Sequence, residues 1–125
     1  MRYTLFLHYQ EMTAGAIGDE AMEAGKQAFQ SYARALEDAG VLVSAEVFQT
    51  AANAATLAIR DGKPRIRNGP YADGREQVGG AFVIEVPDLN AALAWAGKCP
   101  AAQWGTIEIR PSAVRFVNGK WIAVS

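Results

Sequence analysis

The chain has 125 residues, half of them hydrophobic, with twelve Lys and Arg against thirteen Asp and Glu and a net charge of −1. That length supports one domain with its own core, and the composition excludes a disordered chain. Near-neutral charge argues against a nucleic-acid binder, which concentrates a basic surplus on one face, and with a single histidine, His8, and a single cysteine, Cys99, no metal or cofactor is expected.

The opening run Arg2–Tyr9 is short and rich in aromatic and aliphatic residues, which predicts a strand. It is too short to span a bilayer or to act as a secretory signal, so no membrane partner is expected and the cytoplasm is the expected compartment. From Asp19 to Ala39 the period changes: Met22, Gly25, Phe29, Tyr32, Ala33 and Leu36 recur at three- and four-residue steps among charged residues. This predicts an amphipathic helix with Asp19 as N-cap and Gly40 as the left-handed stop. VLVSAEVF (41–48) reads as a strand, and ATLAIRDGKPRIR (55–67) as two strands around an Asp61-Gly62 turn. Arg60, Lys63, Arg65 and Arg67 then read as charges on the exposed side of that hairpin.

GAFVIEV (80–86) is a further strand, with Gly79-Gly80 read as a bulge where it begins. Pro87-Asp88 start a second helix whose Leu89, Ala92, Leu93 and Ala96 share a face, and Pro100 bars its continuation. Cys99 reads as a buried filler, a nucleophile paired with His8 being the alternative. TIEIRP (106–111) is the next strand, and Asn118-Gly119 sits between two short β-like runs as a closing hairpin. Without the two hairpins the order is β-α-β-β-α-β, an α+β, ferredoxin-like arrangement with both helices on one face of an antiparallel sheet.

Alternation within the strands sorts their residues into two faces. Leu5, Leu7, Val43, Ala45, Val47, Phe82, Ile84, Val86, Ile107 and Ile109 form an apolar set for the side under the helices. The opposite parity mixes Phe6, Leu42, Phe48 and Val83 with His8, Glu46, Glu85, Glu108 and Arg110. A solvent-washed face does not need the first group and a closed core does not accept the second unpartnered, so this face is expected to meet a second subunit around a polar pocket.

NGPYADGREQVGGAFVIEVPDLNAALAWAGKCP followed by GTIEIRP resembles the signature of the DGPF-domain, or YCII-related, proteins. The shared elements are a D-G-P-F turn, a charged run ending in E-Q-x-G-G, a D-L-x-x-A-L-x-W helix and an E-x-R-P strand, and the likeness extends over nearly the whole chain to about residue 111. The resemblance implies a ferredoxin-like fold that pairs through its open sheet face into a homodimeric α/β barrel. It further implies acid–base chemistry on small molecules through a His–Asp pair, or a connection with sigma-factor-type regulation.

Two positions depart from that signature: Asn68 stands at the D-G-P-F aspartate and Tyr71 at its phenylalanine. An amide is no general base, so Asp73 is taken as the stand-in carboxylate. The candidate catalytic residues are His8 and Asp73, and Glu46, Asn68, Tyr71, Arg75, Glu108 and Arg110 are candidate ligand contacts. Each also has a plain structural reading: Glu108 and Arg110 as an interface ion pair, residues 68–71 as turn chemistry, His8 as an interface hydrogen-bonder. Two functions follow, a small-molecule enzyme using His8 with a nearby carboxylate, or a non-catalytic dimeric ligand-binding or regulatory accessory protein.

Overall fold

The computed structural model describes residues 1–11 and 17–124. Four strands form the main sheet: β1 (Arg2–Gln10), β2 (Leu42–Val47), β5 (Glu76–Glu85) and β6 (Gly105–Pro111), in the order β2-β5-β1-β6 with every neighbouring pair antiparallel. Helix α1 (Asp19–Asp38) links β1 to β2, and α2 (Leu89–Gly97) links β5 to β6. Each helix therefore joins two parallel strands separated by one antiparallel strand, the interlocked split-βαβ plan of a ferredoxin-like α+β fold. Strands β3 (Ala55–Arg60) and β4 (Lys63–Asn68) form one separate hairpin, and β7 (Val114–Val117) and β8 (Lys120–Ala123) another. Both turn as expected: Asp61 and Gly62 at φ 53° and 73°, Asn118 and Gly119 at 50° and 79°, the left-handed pair of a tight hairpin. No described helix is long and apolar enough to cross a membrane.

The core lies between sheet and helices and is built from Tyr3, Leu5, Leu7, Tyr32, Leu36, Phe82, Ile84 and Val86, closed by Ala92, Ala96, Cys99 and Ala101. The α1 face is the predicted one, and the helix ends at Gly40 (φ 74°), whose N–H donates to the Glu37 carbonyl at 2.9 Å while Val41 N–H reaches Leu36 O at 3.1 Å, a Schellman closure. At the other end, Gly18 rather than Asp19 is the N-cap, and among the described residues no side chain caps the helix. Asp19 instead sits in the first turn, where its charge meets the positive end of the helix dipole. In α2, Asp88 is the N-cap, its Oδ1 accepting from Ala91 N–H at 2.9 Å. The buried side of α2 is Ala92 and Ala96 with Ala91 and Trp95, whereas Leu89 and Leu93 are half exposed. Alanines let the helix sit close on the sheet, and Trp95 fills what space remains, so the leucines turn outward. The Tyr32 hydroxyl donates to Trp95 O at 2.7 Å, tying the two helices together.

Edge strand β2 departs most from simple alternation. Its register slips between Leu42, opposite Ile84, and Ser44, opposite Val83. The slip places Leu42 on the core side with Ile84 and leaves Val43 as the extra residue of a bulge. Val43, Ala45 and Val47 are exposed, contrary to their predicted core role, because the helices shield the central strands and leave this edge uncovered.

Candidate functional site

On the sheet face away from the helices, alternation along central β1 presents Thr4, Phe6 and His8, while Leu5, Leu7 and Tyr9 face the helices. A bulge fixes what stands beside His8. Leu7 opposes Gly80 but His8 opposes Val78, so Gly79 is the extra residue, and Val78 and Glu76 join the open face. The Tyr9 ring lies against Gly79 and its hydroxyl donates to Gly79 O at 3.2 Å, leaving no space for a side chain there. The expected bulge at this glycine pair is thus present, inside a strand that begins four residues earlier than predicted. On the other flank, β6 starts at Gly105, whose missing side chain lets it pack against the main-chain carbonyl of His8.

These placements bring three of the predicted residues into one chain of contacts. His8 Nε2 lies 3.0 Å from Glu108 Oε1, and Arg110 Nη1 donates to Glu108 Oε2 at 3.1 Å. The Arg110 hydrogen bond, and after it the one from His8, hold the Glu108 carboxyl below the usual carboxylate range. An ionised carboxylate only accepts, so the proton in the His8 contact is on Nε2. In the neutral ring the lone pair then belongs to Nδ1, which makes no hydrogen bond among the described residues. Beside this triad, Thr106 donates to Glu76 Oε1 at 3.1 Å across β1.

The remaining candidates are spread around the same face. Glu46 faces the same way on β2, opposite Ala81, but β5 separates it from β1, a gap of about 10 Å that a hydrogen bond does not cross. Asn68 ends β4, opposite Ala55. Tyr71, Asp73 and Arg75 lie exposed on the loop 69–75 that leads into β5 at the His8 end of the sheet, and among the described residues Asp73 and Arg75 make no ion pair. The structure therefore pairs His8 with Glu108 and not with Asp73 or Glu46.

Other residues shape that loop. Arg67 Nη2 donates to the carbonyls of Pro70 and Tyr71 at 3.2 and 3.3 Å, and Gln77 Nε2 to those of Ala72 and Gly74 at 2.9 and 2.7 Å. Gly69, at φ 108°, makes the reversal, with its N–H on Ala54 O at 2.7 Å. The sequence reading missed Arg67, Gln77, Glu76 and Gly105. The arginine read as a solvated charge, Glu76 and Gly105 act through contacts with strands distant in the sequence, and Gln77 acts on carbonyls of a loop whose course local patterning does not fix. Cys99, 1% exposed, sits in the core on the far side of the sheet from His8, and burial pushes its thiol up from its ordinary value. That position rules out a Cys–His pair.

Comparison with curated proteins returns no match. The family model for the YCII-related domain matches residues 1–114, which takes in the whole main sheet, both helices and the His8–Glu108–Arg110 triad. The chain belongs to the YCII-related domain family.

Proposed function

We propose that the protein works as a homodimer that encloses the open sheet face and uses His8 for acid–base chemistry on a small molecule. The observation that carries this reading is the triad: Glu108 holds the proton on Nε2 at 3.0 Å, which directs the basic Nδ1 away from the carboxylate. A carboxylate that orients an imidazole in this way also stabilises the imidazolium that forms when the ring takes up a proton. Arg110, 67% exposed at its side chain, keeps donors free for an anionic group of the substrate. Tyr71, Asp73 and Arg75 form the lip, with Asn68 at its root and Glu46 on the far edge of the same face. Phe6, Val78, Val83 and Phe48 supply the apolar surface that a second copy covers, which also keeps water from the pair. A lone thiol without a disulfide partner suits a cytoplasmic setting.

A second reading has its own support: both Glu108 oxygens are already engaged by protein donors, as in a structural hydrogen-bond network. On this reading the protein is a non-catalytic ligand-binding or regulatory accessory dimer, in keeping with Asn68 in place of an acid.

Imidazole ¹⁵N spectra with small carboxylates and phosphates separate these readings. The enzyme reading expects an Nε2–H tautomer whose Nδ1 resonance moves with ligand, together with the Arg110 resonances. Ligand shifts at Arg110 and the loop that leave Nδ1 unmoved support the binding module. No ligand shift at any of these groups removes the site. Light scattering that gives a 13.4 kDa particle removes the dimer.

A further inference from the structure

Among the described residues, the β3–β4 hairpin is an arm that packs almost wholly against itself. Its two sides are closed together at the base by Gly69 N–H on Ala54 O at 2.7 Å and Thr56 Oγ1 on Gly69 O at 2.9 Å. Register divides it into two faces. Ala55, Leu57, Ile59, Pro64 and Ile66 line one, with Asn68 at its base, and Thr56, Ala58, Arg60, Lys63, Arg65 and Arg67 the other. The apolar face is open, with Leu57, Ile59 and Ile66 at 61%, 55% and 67% exposure. A two-stranded ribbon is at best marginal by itself in water, so a face of this kind gains its stability from something laid against it.

Charge indicates what that partner is. Four cations against Asp61 give residues 55–68 a charge of +3, so the rest of the chain, at a total of −1, carries −4. Among the described residues none of the four cations forms an ion pair. The open sheet face offers the complement: partly buried Phe6 and Val83 lie among Glu46, Glu76, Glu85 and Glu108, four carboxylates against the two cations Arg2 and Arg110 of the same face. One chain thus carries both an apolar, cationic arm and an apolar, anionic surface.

We propose that the arm of each copy lies against the body of a second copy, with Leu57, Ile59 and Ile66 buried there. The long stems of Arg60, Lys63 and Arg65 reach round the ribbon to carboxylates of that copy. A two-fold axis buries both arms by one operation, because the surface that receives an arm is repeated on the copy that extends one. The inference rests on the dimer reading above and adds which segment makes the contact.

The test compares wild type with Leu57→Asp/Ile66→Asp and with Arg65→Glu by sedimentation equilibrium, circular dichroism verifying the fold. Zero-length carbodiimide cross-linking of dimers mixed from ¹⁴N and ¹⁵N chains accompanies it. The double variant is expected to raise the dimer dissociation constant about 100-fold or more, as loss of a central apolar anchor does. Arg65→Glu is expected to raise it about 10-fold at low salt and less at high salt. Cross-links from Lys63 are expected to join ¹⁴N to ¹⁵N chains. A wild-type dimer with unchanged constants in both variants, and Lys63 cross-links within single chains only, overturns the arm contact and leaves the dimer standing. A monomeric wild type overturns both. Arm amides that shift with heparin or an oligonucleotide, while the dimer constants stay unchanged in both variants, assign the arm to a polyanion and also overturn the proposal.

Discussion

Replacing Gly105 by alanine tests how closely β6 must approach β1 for His8 to be placed. An added Cβ would run into the His8 carbonyl, stand 2.9 Å from Tyr9 Cβ and 3.2 Å from Ala101 O. All three neighbours are backbone or Cβ atoms in ordered elements, so none yields by rotating a side chain. Overpacking of this kind costs roughly 1–3 kcal/mol, and the absence of any yielding neighbour puts Gly105→Ala at about 3 kcal/mol. Gly25 provides the control. It lies inside α1 with nothing within 4 Å of its missing Cβ, so alanine there removes only backbone freedom and stabilises by about 1 kcal/mol. The two substitutions, identical in chemistry, should shift the urea midpoint in opposite directions with little change in slope. The backbone resonances of His8 and Glu108 should move in Gly105→Ala and stay in place in Gly25→Ala. A Gly105→Ala protein within about 0.5 kcal/mol of wild type, a change typical of unconstrained surface sites, would refute the close approach.

Asp88→Ala removes the only side-chain cap of α2 among the described residues and should cost about 1 kcal/mol by urea unfolding, with Asp88→Asn recovering most of it. Arg110→Ala should raise the Glu108 titration midpoint, followed by side-chain carboxyl ¹³C shifts, because the Arg110 hydrogen bond is the larger of the causes that depress it. Glu108 is lowered in the folded state, so its contribution to stability is present above the ordinary carboxylate range and is lost as pH falls through the lowered value. The acid limb of the stability curve should therefore become shallower in Glu108→Gln. Cys99 should react with a thiol reagent only at the rate of unfolding, since the group is 1% exposed and burial keeps it protonated. Rapid labelling under native conditions would contradict the core described here.

Local chemistry was sufficient for the elements themselves. The left-handed turns at Asp61-Gly62 and Asn118-Gly119, the α1 stripe from Met22 to Leu36, the stop at Gly40 and the succession of elements β-α-β-β-α-β along the chain all follow from φ preferences and from periods of 2 and 3.6, properties that act over a few residues. Two-face alternation also sufficed to set His8, Glu108 and Arg110 on one side of one sheet. Tertiary structure alone decided which carboxylate meets the imidazole. The sequence analysis named Asp73 as the catalytic carboxylate and Glu46 and Glu108 as ligand contacts, and the observed pairing with Glu108 depends on strand order, which puts β6 beside β1 and β2 two strands away. It decided equally that Leu42 turns inward and Val43 outward, and that Val78 stands beside His8, because each depends on a bulge. A bulge changes which residues face each other across two strands, and the one at Gly79 sits against the Tyr9 ring, 70 residues away in the chain.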